Sequence, residues 1–517
     1  MVSTPSDTTG AALNARRRSR ELTALGDAPT VDLLVVGGGV TGAGVALDAA
    51  ARGLRTLLVE KHDLAHGTSR WSSKLVHGGL RYLASGRVGI AYESAVERGI
   101  LLRRNAPHLV RPLPQLVPLL PDIGLSSRAL IRTGFLAGDL LRTGARTSGS
   151  LLPRSRRVTR AEALRLAPTV RRDGLRGGLQ AWDGQLVDDA RLVVALARTA
   201  AARGATVLTR VAAEAVTGDG ATLHDTRTGE TLTVRARAVV NATGVWADEV
   251  DPSIELRPSR GTHLVFDAAA FGGLTAALTI PVPGSVGRFV FALPAPHGRV
   301  YLGLTDEDAP GPVPDEPRPT PAEIDFLLDT VNTVVRIPLT HSDIRGSYAG
   351  LRPLLRTGGD STADISREHA VLTSPSGVIT VVGGKLTTYR KMAQDALDTA
   401  VAHARLSAGP CRTTDLPLAG AVAGAARDHL LAPQLLIERY GAEAPAVATL
   451  AATDPELATP VAPGADVLAA EFAWSLTQEG ALDAGDLLDR RTRIGLVADD
   501  RAAARATAEA MVAAYSE

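Results

Sequence analysis

The residues with the clearest chemistry are three glycines in the order Gly37-x-Gly39-x-x-Gly42, with Gly44 beyond them. They follow the apolar, β-branched run Val31 to Val36 and open the helix-like stretch Val40 to Arg52. In that setting glycines let the backbone turn tightly and approach a pyrophosphate, whose negative charge a helix N-terminus stabilises. A second strand, Arg55 to Val59, ends on Glu60 roughly twenty residues further on, where a carboxylate accepts hydrogen bonds from ribose hydroxyls. The pattern predicts an adenine dinucleotide site, and by itself it leaves NAD and FAD open.

Two distant segments bear on that choice. Residues Gly67 to Tyr82, GTSRWSSKLVHGGLRY, form a row of small, hydroxylic and glycine positions that suits backbone packing along an extended cofactor. Far down the chain, Gly383-Gly384 precede a helix that the pattern starts at Lys385-Leu386-Thr387-Thr388. Its positive end suits a flavin, which carries negative charge at its pyrimidine edge when reduced.

The elements that must position these groups read as α/β, then something else, then α/β again. Strand, turn, helix and strand over Val31 to Glu60 make one βαβ unit. From Gly86 to about Pro168 the parallel-sheet signature lapses, with helical stretches near Tyr92 to Asn105 and Leu125 to Leu141. It returns at Asp188-Asp189, where an aspartate can cap a helix Ala190 to Arg203, followed by strands Thr206 to Thr209 and Ala238 to Asn241. Pieces at Thr262 to Phe266, Arg288 to Ala292 and Val300 to Leu304 predict an inserted antiparallel sheet. The α/β text resumes at Val378 to Val382, and beyond Gly409 an Ala-rich remainder predicts a separate helical domain.

Composition narrows the function classes. Of 517 residues, 56 are Lys or Arg and 55 Asp or Glu, a net charge of +1 that argues against nucleic acid as the main ligand. Aromatics are 3% of the chain while glycines number 51, so Ala, Val and Leu have to build the core. The single cysteine, Cys411, excludes an intramolecular disulfide and leaves too few thiolates for a zinc or iron–sulfur centre; no metal site is expected, and a reducing, intracellular setting fits. No apolar stretch approaches a spanning helix, and residues 1–30, with Arg16, Arg17, Arg18 and Arg20 but no apolar h-region, predict a basic mobile tail rather than a secretory signal.

Six blocks together carry a family resemblance: Ser72 to Leu83 (SSKLVHGGLRYL), Asp188 to Val193 (DDARLV), Asn241 to Gly244 (NATG), Gly350 to Leu354 (GLRPL), Gly383 to Lys391 (GGKLTTYRK) and Arg490 to Leu496 (RRTRIGL). The chain resembles the FAD-dependent glycerol-3-phosphate dehydrogenases from about residue 30 to its C-terminus. The resemblance implies a discontinuous Rossmann-like FAD domain of the glycine and D-amino-acid oxidase type, an inserted antiparallel β-sheet substrate domain, and a C-terminal helical domain. On that reading 31–105, 180–254 and 345–408 bind FAD, 106–179 and 255–344 form the substrate cap, and 409–517 is the helical domain.

Matched residue by residue, the resemblance places cofactor contacts at Gly37, Gly39, Gly42, Glu60, Lys61, Thr68, Ser69, Ser72, Ser73, Lys74, Leu75, His77, Gly78, Gly79, Gly244, Trp246, Gly384, Lys385, Leu386, Thr387 and Thr388. A phosphomonoester dianion calls for fixed cations and hydroxyl donors, and the matching positions are Arg81, Tyr82 and Arg367, with Arg352 nearby. His263 matches a histidine of the substrate sheet and is the expected base for the hydroxyl proton of a secondary alcohol. Arg352 and Lys385 are expected to stabilise the developing alkoxide. Two departures touch loop detail: Leu304 and Val245 stand where the family often has threonine and proline.

The implied reaction is oxidation of sn-glycerol 3-phosphate to dihydroxyacetone phosphate, with a quinone as the next acceptor. An oxidase of the same fold that uses oxygen, and a flavin-binding protein with a degenerate site, are the alternatives. The stretch Leu125 to Leu141, with Arg128, Arg132 and Arg142 beside Leu130, Ile131, Phe135, Leu136 and Leu140, suits a membrane interface as well as ordinary packing. The family's habit adds a cytoplasmic location, peripheral on the inner face of the membrane. A homodimer is compatible with the sequence, which does not set the oligomeric state.

Overall fold

The computed structural model describes residues 10–27, 29–79, 86–285, 287–356 and 368–515. In chain order its strands are β1 (Thr30–Val36), β2 (Thr56–Glu60), β3 (Leu75–Val76), β4 (Val110–Pro118), β5 (Arg156–Val158), β6 (Gly178–Leu186), β7 (Thr206–Thr209), β8 (Val211–Thr217), β9 (Gly220–Asp225), β10 (Thr231–Asn241), β11 (Ser259–Asp267), β12 (Ala277–Pro281), β13 (Phe289–Ala295), β14 (Arg299–Gly303), β15 (Glu307–Asp308), β16 (Ile344–Arg352), β17 (His369–Thr373) and β18 (Ile379–Gly383). Parallel strands β18, β10, β1, β2 and β7 lie side by side in the first sheet, with β17, β9 and β8 attached antiparallel. The second sheet runs β15-β11-β14-β13-β12-β4-β6-β3, with β16 on β11 and β5 on β6, and is antiparallel except where β12 meets β4.

A parallel sheet needs cover on both faces, and the sequence supplies small residues for close packing. Helix Val40–Ala51 lies against helix Tyr389–Ala404 so closely that a Cβ on Gly44 would come 3.1 Å from Ala393 Cβ and from the Tyr389 ring. Helix Asp189–Ala202 completes the layer, and its start is capped as the sequence predicts: Asp188 Oδ1 accepts the N–H of Ala190 at 2.7 Å. The core between them is Leu33, Val35, Ala46, Leu58, Leu196, Ala197, Ala396 and their neighbours, almost wholly Ala, Val and Leu.

Three sequence expectations need correction. Residues 15–27 are not part of a mobile tail but a helix, Ala15–Asp27. Arg18 pairs with Asp225 at 2.8 Å and donates to Thr209 O, while Leu13 is buried and exchanges backbone hydrogen bonds with Gln478 and Gly480. The expected domain limits also cut the second sheet, because β3, most of β6, and all but the first residue of β16 come from segments assigned to the cofactor domain. Finally, the segment from Gly86 to about Pro168, where the sequence pattern named only helical stretches, also contains β4, with Pro112 and Pro114 in it. There β4 pairs with β6 alone, since β12 reaches only Gln115 and Leu116, so the missing N–H groups cost no bond to β12.

The C-terminal region is helical, with helices Gln434–Tyr440, Ala444–Thr453, Ala469–Gln478 and Ala498–Tyr515. Buried ion pairs fasten it to the rest of the chain, among them Arg191 with Glu479 at 2.6 Å and Arg198 with Glu443 at 2.6 Å.

Candidate active site

The turn after β1 is built for close backbone approach. Gly37 has φ +109° and a Cβ there would lie 2.7 Å from Ala242 O, while a Cβ on Gly42 would lie 1.9 Å from Gly37 O. Gly39 is the N-cap of helix Val40–Ala51 and has no side chain to offer; Ser69 Oγ accepts the Val40 N–H at 2.9 Å. Glu60, at the end of β2, accepts N–H groups from Gly38 at 2.7 Å and His62 at 2.8 Å, and burial pushes its carboxyl up. A carboxylate beside a glycine turn and a helix N-terminus is the donor and acceptor set that an adenosine ribose and pyrophosphate require.

The hydroxylic row after Gly67 runs between the two sheets. Trp246 packs on Gly67, where a Cβ would be 2.8 Å from its ring, and Thr68 donates to Leu351 O of β16 at 2.6 Å. Ser72 gives both its N–H and its hydroxyl to Asp189, at 2.9 and 2.7 Å. Lys74, with φ +55°, turns its ammonium inward to Asp189 at 3.2 Å and to Ser72 O at 3.0 Å, above the Tyr348 ring. Burial lowers the Lys74 ammonium to about 8, although Asp189 pulls the other way. His77 N–H reaches Thr387 Oγ1 at 3.1 Å, which brings the Gly78-Gly79 turn beside the turn Leu386–Thr388.

His263 lies in β11 between Gly303 of β14 and Tyr348 of β16. Its ring stacks on Tyr348 with centroids 4.7 Å apart and planes 10° from parallel, and its Nε2 is 2.8 Å from Ser73 Oγ. A Cβ on Gly303 would come 2.2 Å from His263 Cδ2, so that glycine makes room for the imidazole. Burial, helped by the charges of Lys74 and Arg352, holds His263 well below its ordinary pKa, and the ring is neutral at pH 7. Arg352, at the end of β16, lies over Gly261 and donates to Ser259 Oγ at 3.0 Å, Asp306 Oδ1 at 3.1 Å and Thr305 O at 3.2 Å. A buried neutral base, a paired guanidinium and a dinucleotide turn joined by one loop suit proton removal coupled to oxidation.

Residues 32–390 match the family model described as FAD dependent oxidoreductase, and 411–516 match the C-terminal domain of alpha-glycerophosphate oxidase. Glycerol-3-phosphate dehydrogenase 1 of Mycobacterium tuberculosis is 62% identical over 95% of this chain and 96% of that protein. The chain belongs to the FAD-dependent glycerol-3-phosphate dehydrogenase family. A glycerol-3-phosphate dehydrogenase of Mycobacterium leprae is 41% identical over 90% of this chain and 81% of its own length. The crystal structure of the glycerol-3-phosphate dehydrogenase from Bacillus halodurans complexed with FAD superposes with a TM-score of 0.74 at 29% identity, covering 97% of this chain and 94% of that one. The fold expected from the resemblance is the fold of this glycerol-3-phosphate dehydrogenase family member, with its parallel sheet, its antiparallel sheet and its helical C-terminal region.

Within that family frame the structure brings together Gly37, Gly39, Gly42, Glu60 and Ser69, and separately Ser73, Lys74, His263 and Arg352. Arg81, Tyr82 and Arg367 lie outside the described residues. Gly383 and Gly384 have φ +78° and +67°, and the helix expected at Lys385 begins at Tyr389, after a single tight turn over Leu386–Thr388. The Lys74 and Ser72 side chains are turned to Asp189 rather than outward along the row. Sequence reasoning missed Asp189 as a site residue because the preceding aspartate accounted for the helix cap. It also missed Asp183, which accepts the Gly78 N–H at 3.0 Å and pairs with Arg98. For Asp189 the available signal was a second acid beside the capping Asp188 in DDARLV.

Proposed function

We propose that this protein oxidises sn-glycerol 3-phosphate to dihydroxyacetone phosphate, with His263 taking the hydroxyl proton. The observation that carries this reading is the buried, neutral imidazole held by Ser73 and Tyr348 on a sheet joined directly to the dinucleotide turn. Bound FAD supplies the acceptor for the hydride that leaves the carbinol carbon. Gly37, Gly39, Gly42, Glu60 and Ser69 hold its adenosine and pyrophosphate. Arg352 and Lys385 stabilise negative charge on the alcohol oxygen, and Arg81, Tyr82 and Arg367 take the phosphate. Anaerobic addition of sn-glycerol 3-phosphate to the FAD-loaded protein is expected to bleach the flavin absorbance. Bleaching by glycine or a D-amino acid, and none by glycerol 3-phosphate, would overturn the assignment.

Gly42→Ala tests the cofactor site. Its Cβ meets backbone that cannot swing aside, an overpacking cost of about 1–3 kcal/mol, so FAD retained after purification should fall about tenfold or more. Full flavin content in that variant would contradict the placement of the pyrophosphate.

A quinone at a membrane surface is the acceptor we favour over oxygen. Helix Leu125–Gly144 buries Ile131 and Phe135 but leaves Leu125, Leu130, Leu136 and Leu140 exposed by 79%, 51%, 47% and 75%. Its arginines are turned inward: Arg128 donates to Leu120 O and Ile123 O, Arg132 to Ser155, and Arg142 to Thr147 O. The leucine face is thus the part that would enter the interface, and no helix among the described residues is long and apolar enough to cross a membrane. Replacing Leu125, Leu136 and Leu140 by serine should weaken co-sedimentation with phospholipid vesicles about 100-fold or more, at about 1.5–3 kcal/mol for each leucine buried. Equal sedimentation of the variant would remove this support. Rapid oxygen consumption with substrate and no added acceptor would favour the oxidase reading.

A further inference from the structure

The loop that follows β2 carries two histidines that neither the dinucleotide site nor the proton-transfer site uses. His62 and His66 stack with ring centroids 3.9 Å apart and planes at 20°. His62 Nε2 lies 3.8 Å from a carboxylate oxygen of Asp315, which comes from the Pro-rich connector between β15 and helix Pro321–Asn332. His66 Nε2 is buried and has no hydrogen-bond partner. One ligand atom from each of the three residues fits within 4.8 Å of the other two.

We propose that His62, His66 and Asp315 bind a divalent transition-metal ion of the zinc class. Two imidazole nitrogens and one carboxylate oxygen are a usual donor set for such ions, with a further position left for water. Bond lengths of about 2.0–2.1 Å put tetrahedral ligand atoms roughly 3.3 Å apart, so closure needs a shift of about 1–1.5 Å. Asp315, 70% exposed, can supply part of that by rotating its side chain, and one imidazole must turn out of the stack, because nitrogen lone pairs lie in the ring planes and near-parallel rings cannot both aim at one ion. The backbone is already held from both sides. His62 N–H is bound by Glu60, His66 O accepts Arg70 Nε at 2.8 Å, and Arg70 in turn pairs with Glu316 at 2.8 Å. That last pair fastens the same two segments that the metal would join.

Charge nearby does not forbid a cation. Arg490, Arg210, Arg70 and Lys61 act on the two histidines. Arg490 is paired with Asp63 and Asp486, Arg210 with Asp483 and Asp486, and Arg70 with Glu316, so Lys61 is the main charge that a bound cation would have to offset. A bound ion would staple the connector of the substrate domain to the loop below the cofactor's ribose carboxylate. The spacing of the two histidines is visible in the sequence, but their carboxylate partner is distant along the chain.

Calorimetric titration of the FAD-loaded, tag-free full chain with zinc chloride tests this. One equivalent should bind in the micromolar range or tighter, and His62→Ala, His66→Ala and Asp315→Ala should each weaken it at least about tenfold. Flavin absorbance should stay unchanged. Asp315→Ala alters an exposed connector side chain and keeps the test valid if a histidine variant folds poorly. Absence of saturable binding to the unmodified protein would overturn the proposal. So would unchanged affinity in Asp315→Ala, even with weakened binding in the histidine variants.

Discussion

Replacing His263 by alanine should slow anaerobic flavin reduction by sn-glycerol 3-phosphate about 10²–10⁴-fold, the usual worth of a positioned general base. FAD content should fall far less than the rate, because His263 touches none of the residues at the glycine turn and meets the expected cofactor contacts only at Ser73. The unmodified protein should also have a characteristic pH profile. A base works when deprotonated, and burial keeps His263 neutral until the pH falls well below 6.5. The limiting reduction rate at saturating substrate should therefore be flat from about pH 8 down to about pH 6. Stopped-flow measurement settles both points. An alanine variant that reduces flavin at the original rate, or an acid limb centred near pH 6.5, would remove His263 from the role.

Replacing Asp63 by alanine should destabilise the protein by about 3–5 kcal/mol, the cost of leaving buried charges without their partner. Asp63 is 0% exposed and takes Arg490 Nε at 2.6 Å and Arg491 at 2.8 and 2.9 Å. Both arginines belong to the RRTRIGL block, so this carboxylate anchors the C-terminal region to the loop after β2. Burial pushes the Asp63 carboxyl up, and Arg491 and Arg490 more than offset that and hold it below the usual range. Its contribution is present above the ordinary aspartate pKa and is lost as the pH falls from there toward the folded value. Thermal unfolding at neutral pH reads the effect. A midpoint within about 1 °C of the original would show that the arginines find other partners.

Much of the cofactor site was legible because its signals are local. Gly37, Gly39, Gly42 and Glu60 sit at fixed offsets within one βαβ unit, and the structure places them around one turn. The strand containing His263 was also legible from its apolar run. The direction of the Lys74 side chain was not legible: its ammonium turns to Asp189, a residue more than a hundred positions away. Asp183 was invisible as a site residue and Asp189 had only its place beside the capping aspartate to mark it, since a buried acid shows its role once its partners Ser72, Lys74 and Arg98 have been brought from elsewhere in the chain. Arg18 read as part of a solvated tail because Asp225 and the end of β7, its partners, lie far along the chain.

By itself the sequence determined the main α/β elements and the dinucleotide turn, which depend on periodicity and motif spacing over short stretches, and its six motif blocks carried the family resemblance. The tertiary structure decided the protonation of His263, the inward turn of Lys74, the exposure of the leucines on Leu125–Gly144 and the meeting of Asp315 with two histidines. Burial and charge pairing are properties of contacts between distant segments, and a pKa or an exposed face exists only after those segments have packed.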